Sequence, residues 1–170
     1  MRLLQRLFGA PDRGTAPALY QAVVAHGRLP HWYEAGGVPD TIDGRFDMIA
    51  AVLAMVLLRL ESEPAGIPQS TAIAECFIAD MDSQLREIGI GDVVVGKHLG
   101  KMMGMLGGRL GAYREGLAAG SLRETLVRNV YRGQPPEEAA LAHVERELLA
   151  LRDRLAATPL ATLLAGEMPA

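Results

Sequence analysis

The chain has 170 residues, of which 49% are hydrophobic and 22% are charged. This length fits a single domain, and the balance of residue types is typical of globular proteins and excludes wholesale disorder. The net charge is only -3, whereas proteins that bind nucleic acid through its phosphates usually carry a basic surface. The composition therefore predicts one folded domain with no specific nucleic-acid partner.

Three further features concern the compartment. Cys76 is the single cysteine, so an internal disulfide is impossible, and its apolar neighbours indicate a buried thiol. The longest uninterrupted apolar run, residues 48–58, has 11 residues, whereas a membrane span needs about 20. Residues 1–8 lack the apolar stretch of a signal peptide. We therefore expect a cytoplasmic protein, and 15 Arg among 17 basic residues, with abundant Ala and Gly, suggests a bacterial one.

The first residues of the chain are amphipathic. Residues 1–8 place Leu3, Leu4, Leu7 and Phe8 on one side of a short helical turn, and Arg2 and Arg6 on the other. This pattern suits weak peripheral contact with an anionic membrane, here the cytoplasmic face of the inner membrane. A frayed terminus is the alternative. We treat residues 1–14 as a short amphipathic segment or tail.

Hydrophobic periodicity and helix-boundary signals predict that the rest of the chain is helical. The helix that begins near residue 45 is apolar nearly all round, so we expect it to be central. The predicted segments, in order, are 15–26, 31–34, 45–61, 68–88, 92–118, 121–131 and 135–155, with a final turn after Thr158-Pro159. The sequence therefore predicts an all-α, single-domain bundle of about six or seven helices over residues 15–157, followed by a C-terminal tail over 158–170.

Residues 37–47 are dense in turn formers and charged groups. A Pro and a Gly shape a turn, and we expect Arg45 to pair with a nearby aspartate. The helix that follows is capped by Asp40, Thr41 or Asp43. A structural role explains much of this segment. The alternative is a polar rim beside a hydrophobic surface.

The helix predicted over residues 92–118 is unusually rich in glycine. Its glycines include Gly96, Gly100, Gly104 and Gly108 at four-residue spacing, with Gly107 and Gly111 beside them. Because each glycine costs a helix about 1 kcal/mol relative to Ala, close approach of another segment is the simplest compensation. We expect the protein's own central helix to be that segment, and a transmembrane helix of a bound protein is the alternative. The neighbouring Met102, Met103 and Met105 suit either case.

The sequence contains no recognised catalytic arrangement. It has no phosphate loop, no nucleophile elbow and no paired cysteines. The four histidines are scattered, whereas zinc needs three or four convergent ligands, so we expect surface or packing roles for His26, His31, His98 and His143. We therefore predict no enzymatic activity, no catalytic residue, no metal site and no cofactor.

Four pieces of the sequence together are similar to a known family signature. They are residues 37–48, then Asp80-Met81-Asp82 with Leu85-Arg86-Glu87 and Gly89, then Gly91-Asp92 with Val95-Gly96-Lys97, and finally Gly108-Arg109 with Ala112-Tyr113. In this order, over residues 20–117, they resemble the ubiquinol-cytochrome c chaperone family. The resemblance implies an all-helical assembly factor that binds newly made cytochrome b and promotes biogenesis of the respiratory ubiquinol-cytochrome c reductase, complex III. In mitochondria such proteins act with a small partner near the ribosome exit region.

The resemblance also implies which residues form the partner-binding surface. These are Asp40, Asp43, Arg45, Asp47, Asp82, Arg86, Lys97, Arg109 and Tyr113. The chain departs from the family in its glycine density over 96–111 and in lacking a mitochondrial targeting extension, which fits a bacterial member. Two alternative functions are a haem-handling or enzymatic protein that uses Lys97, His98 and Tyr113, and a structural subunit of the same complex.

Overall fold

The structure, a computed structural model, describes residues 14–87 and 92–170, apart from the side chains of residues 85, 86, 92–99 and 102. The described residues form eight α-helices and no strand, so the predicted all-α class is confirmed. The count exceeds six or seven because three of the helices have only five to seven residues. The helices are α1 (Ala16–Gly27), α2 (Pro30–Glu34), α3 (Ile42–Glu61), α4 (Ile67–Glu87), α5 (Asp92–Ala119), α6 (Arg123–Asn129), α7 (Glu138–Ala157) and α8 (Leu160–Leu164).

The central position expected for the most apolar helix is confirmed. Helix α3 packs against α1, α4, α5 and α7, and its residues 47–57 are all buried. It begins at Ile42, three residues earlier than predicted, because the Thr41 hydroxyl accepts a hydrogen bond from the Gly44 N–H at 3.0 Å. Of the three capping candidates, Thr41 is therefore the one used.

Helices α1 and α4 complete one side of the core through aromatic contacts. The rings of Tyr20 and Phe77 meet edge to face at 6.5 Å, and the Tyr20 hydroxyl donates to Asp80 at 2.6 Å. Cys76, the single cysteine of the chain, is buried in this layer, as predicted. Within the described ranges, every helix falls short of the length and hydrophobicity that a membrane span requires.

The C-terminal helices close the other side. Helix α7 presents five buried apolar side chains at helical spacing, Leu141, Val144, Leu148, Leu151 and Leu155. The turn predicted after Thr158-Pro159 forms as α8, in which Leu163 is fully buried. Residues 158–170 therefore hold a packed helix, and the Thr15 hydroxyl donates a hydrogen bond to the carbonyl of Leu164.

Candidate functional site

A buried carboxylate organises one end of α3. The Asp47 side chain is 0% exposed and contacts two guanidinium groups. Arg109 of α5 lies 2.9 Å from Oδ1, and Nε of Arg132 donates to Oδ2 at 2.7 Å. Arg132 also pairs with the exposed Asp43 at 3.3 Å. We call Asp43, Asp47, Arg109 and Arg132 the Asp47 cluster. Because a buried charge must be paired, this cluster fixes α5 and the loop after α6 onto α3.

Arg132 is the member of the cluster that the sequence did not reveal. Its φ of 51° lies in the left-handed region, and Gly133 follows with φ of 83°. This conformation ends the helical turn and directs the chain towards α7. The glycine alone signals a helix end in the sequence, but nothing there indicates that the arginine reaches Asp47.

Three residues implied as partner-binding, Asp47, Arg109 and Tyr113, are packed largely inside the protein. Arg109 lies over the Phe46 ring at 5.3 Å and donates to the Asn129 carbonyl at 3.2 Å. Tyr113, one turn further along α5, is buried, and burial raises the pKa of its hydroxyl. That hydroxyl has no hydrogen-bond partner among the described residues. In the folded chain Asp47 and Tyr113 therefore lie beneath the surface, and Arg109 is mostly covered.

A second predicted pair lies apart from this cluster. Arg45 donates to Asp40 at 2.7 Å, so the predicted ion pair is confirmed. Both side chains are exposed, and the hydrogen bond from Arg45 lowers the pKa of Asp40. They border a small cavity of about 240 Å³ together with Arg28 and Tyr33. The side chains of Arg86 and Lys97 lie outside the described residues.

Asp82 lies in a third place, an open groove. The cavity has a volume of about 530 Å³ and lies between α4 and α5, with its floor on α3. We call it the α4/α5 groove. Its apolar lining consists of Leu57, Ala74, Ile78, Ala79, Met103, Leu106 and Leu110. Of the seven implied residues whose side chains are described, Asp82 alone lines it.

The polar part of the groove is acidic. Three carboxylates, Glu61, Glu75 and Asp82, line it, and its described lining contains no Lys or Arg. Glu61 pairs with Arg114, which stands just outside the lining, at 3.1 Å. Glu75, Ile78 and Asp82 follow one another at three- and four-residue spacing along α4, so they share one flank of that helix. That spacing is the sequence signal from which this flank could have been found.

The expectation that the central helix approaches the glycines of α5 is wrong for five of them, while the surroundings of Gly96 lie outside the described residues. A Cβ atom added at any of five positions would meet no described atom within 4 Å, and these are Gly100, Gly104, Gly107, Gly108 and Gly111. The protein's own central helix therefore does not approach them. The reason is that α5 packs on the core through Leu106, Leu110 and Tyr113, at four- and three-residue spacing, which turns the glycines outward.

The outward face of α5 continues from the groove. Gly107 lines the groove itself, and Met103 beside it is 61% exposed. Gly100, Gly104, Gly107 and Gly111 follow a spacing of four, three and four residues, which places them in one stripe along the helix. An open apolar groove therefore adjoins a face on which another backbone can approach closely.

The histidines are less scattered than the sequence suggested. His31 Nδ1 of α2 lies 3.0 Å from His143 Nε2 of α7, and Arg146 contacts the other nitrogen of His143 at 2.9 Å. Among the described residues, however, no three His, Cys, Asp or Glu side chains are placed to hold a metal ion. The histidine pair joins two helices on the side formed by α2 and α7.

Acidification is expected to destabilise the fold through His26. Burial, with Arg154 and His31 nearby, lowers the pKa of His26 to about 4. Because an unfolded histidine has a pKa of about 6.5, the unfolded state binds a proton that the folded state excludes between these values. The stability is therefore full above about pH 6.5 and falls as the pH drops towards 4, by at most about 1.4 kcal/mol per pH unit.

Thermal melts at pH 7 and pH 5 check this expectation. His26→Gln should lose less Tm over this interval than the unmodified protein. An equal loss in both would assign the acid sensitivity to other groups, of which His31 is the first candidate because burial also lowers its pKa.

Comparisons with known proteins agree with this architecture. A family model described as ubiquinol-cytochrome C chaperone matches residues 34–170. No curated protein sequence matches the chain. A solved structure described as the Cbp3 homolog from Brucella abortus is 32% identical, with a TM-score of 0.81 over 98% of this chain and 93% of that chain. The family match extends past the 20–117 resemblance to the end of α8 and beyond. The chain belongs to the ubiquinol-cytochrome c chaperone family.

Proposed function

We propose that this protein binds newly made cytochrome b and holds its apolar segments in the α4/α5 groove during assembly of complex III. The observation that carries the proposal is the open groove of about 530 Å³. It lies beside the α5 glycines, at which there is open space for another backbone to approach. Methionine is flexible and polarizable, so Met103 at the groove edge suits apolar helices of varied shape. The activity is binding, without a covalent step.

A matched pair of glycine substitutions tests the groove. Gly107 lines it, whereas the adjacent Gly108 does not, and both positions have open space for a side chain. Gly107→Leu should fill the groove while Gly108→Leu leaves it open. Both changes replace glycine by a better helix former, so neither should weaken α5.

The experiment complements a deletion strain with the unmodified gene, Gly107→Leu, Gly108→Leu or Arg45→Ala, each shown to melt normally. The readouts are the abundance of assembled complex III and the pulse-labelled cytochrome b that co-purifies with the chaperone. We expect both to fall several-fold with Gly107→Leu alone. Loss with Arg45→Ala and normal assembly with Gly107→Leu would instead place the client on the Asp40–Arg45 surface. Normal assembly in the deletion itself would refute the function.

Each of the two alternative functions can be tested by one simple measurement. A haem-handling protein would change the absorbance spectrum of added haem, and a permanent subunit would co-purify with the finished complex. Tyr113, one residue of the haem alternative, is buried. Membrane contact through residues 1–8, which lie outside the described residues, stays a prediction, as does contact with the ribosome exit region.

A further inference from the structure

The described chain begins next to one end of the α4/α5 groove. Gln69 of α4 donates a hydrogen bond to the Thr15 hydroxyl at 3.0 Å, and that hydroxyl donates in turn to the Leu164 carbonyl. Ser70, the residue after Gln69, is the first residue of the groove lining on α4. Residues 1–13, which lie outside the described residues, therefore join the folded domain where α4 and its groove begin.

An exposed apolar side chain extends the groove towards this point. Ile67, the first residue of α4, is 50% exposed. Together with Thr71, Ala74 and Ile78 of the groove lining, it follows a spacing of four, three and four residues, so the four side chains lie in one stripe along α4. The α4 wall of the groove therefore continues, through an apolar side chain, to the end at which the N-terminal segment joins.

The N-terminal segment matches the groove in polarity and in size. Leu3, Leu4, Leu7 and Phe8 share one side of two helical turns, and the two arginines lie on the other. As two turns, residues 1–8 span about 12 Å at a rise of 1.5 Å per residue, which fits within the roughly 18 Å of α4 that line the groove. The segment therefore presents an apolar side short enough for the groove to cover completely.

The connecting residues 9–13 are long enough to bring this segment to the groove. Gly9 and Pro11 interrupt a helical pattern, so the amphipathic segment ends before them. Five extended residues reach about 17 Å at about 3.3 Å each, whereas a helix with its side chains is about 10–12 Å across. The chain can therefore pass from Thr15 over the first turn of α4.

The short connection also strengthens a weak contact. A segment joined by a short linker meets its site at an effective concentration of the order of millimolar. Membrane binding of an amphipathic helix scales with the apolar area that it buries, and two turns bury little. The groove of the same chain is therefore a better partner for residues 1–8 than a membrane surface.

We propose that residues 1–8 occupy the α4/α5 groove of their own chain until a client helix displaces them, with their apolar side against the α4 wall that Ile67, Ala74 and Ile78 form. This inference rests on the proposed function and adds how the client site is regulated. An open apolar groove is an aggregation liability, and an internal occupant covers it until the client arrives. A client with more apolar area then replaces the short segment.

Photo-crosslinking in the full chain tests the contact. A benzophenone amino acid replaces Leu4, and mass spectrometry identifies the residues to which it is joined after illumination. We expect cross-links to the α4 and α5 residues of the groove lining, which Gly107→Leu should reduce several-fold and Gly108→Leu should preserve. A mixture of isotope-labelled and unlabelled protein distinguishes cross-links within one chain from those between two chains.

The affinity for a model client tests the competition. The probe is a fluorescent peptide of about 12 Leu, Ala and Ser residues, the length that the α4 wall covers, and its binding is followed by fluorescence anisotropy. Deletion of residues 1–8, or Leu3→Ser with Leu7→Ser, should tighten binding roughly threefold or more, because an occupied groove lowers the apparent affinity. Arg2→Ser with Arg6→Ser is the matched control, which keeps the apolar side and should leave the affinity unchanged. Thermal melts establish that all variants are folded.

The outcomes separate this inference from the proposed function. If cross-links to the groove are absent, or if the deletion leaves the affinity unchanged while Gly107→Leu weakens peptide binding, the inference is overturned and the groove stays a client site. Cross-links only between two chains, or only to lipid after phosphatidylglycerol vesicles are added, would assign residues 1–8 to another partner and overturn the inference as well. Peptide binding that Gly107→Leu does not weaken, or no binding to any variant, would overturn both.

Discussion

Asp47→Asn is expected to lower the free energy of unfolding by about 3–5 kcal/mol, as is typical when one partner of a buried ion pair is removed. The carboxylate is fully buried between Arg109 and Arg132, and the Arg109 side chain is itself only 12% exposed. Asn removes the charge while nearly keeping the shape, so the guanidinium of Arg109 stays buried without its counter-ion. Urea unfolding followed by circular dichroism measures the change.

Asp43→Asn is the matched control, because Asp43 lies four residues earlier on the same helix and also contacts Arg132, but is exposed. We expect it to cost no more than about 0.5 kcal/mol. A loss below about 1 kcal/mol for Asp47→Asn would contradict a structural role for the Asp47 cluster. A destabilised variant would also lower complex III in cells through lost chaperone, so chaperone abundance must be measured beside complex assembly.

Gly44→Ala should destabilise the protein by about 2–3 kcal/mol, the upper part of the range of about 1–3 kcal/mol expected when extra atoms force a backbone shift. A Cβ atom at Gly44 would lie 1.8 Å from the backbone oxygen of Pro39. That oxygen belongs to the turn before α3, so relief of the clash must move the chain that carries the Thr41 cap.

Gly104→Ala provides the opposite case in the same protein. Its added Cβ meets no described atom within 4 Å, so the helix should gain up to about 1 kcal/mol from the better helix propensity of Ala. The urea concentration at the midpoint of unfolding compares the stability of both variants, provided that the free energy of unfolding falls with urea at the same slope in each. If Gly104→Ala destabilised the chain or Gly44→Ala left it unchanged, the packing described for these glycines would be wrong.

Local sequence signals predicted most of the helices and which of them lies at the centre of the core. The apolar run at residues 48–58 indicated a central helix, and Thr41 was among the three expected caps. We predicted wrongly that the central helix approaches the α5 glycines, because their spacing is compatible with either a close neighbour or open space. The spacing of Leu106, Leu110 and Tyr113 indicates the correct orientation of the helix, since these residues fix which side of α5 faces the core.

The candidate site was harder to predict for a different reason. A family resemblance identifies corresponding residues but does not indicate how far each side chain is buried. It therefore could not predict that Asp47 is buried while Arg45 is exposed. Arg132 reaches Asp47 across 85 residues of sequence, and no local pattern specifies such a contact. The groove likewise depends on how three helices pack, so its lining from α3, α4 and α5 emerges only in three dimensions.

The outward glycines of α5 also bear on how the chain folds. The five outward glycines, at about 1 kcal/mol each, make the formation of an isolated α5 about 5 kcal/mol less favourable than that of the same helix with Ala at these positions. Its helical form therefore depends on docking through Leu106, Leu110 and Tyr113. Because a ribosome makes the chain from its N-terminus, the residues of α3 are synthesised before those of α5, so the helix on which α5 docks precedes it in synthesis.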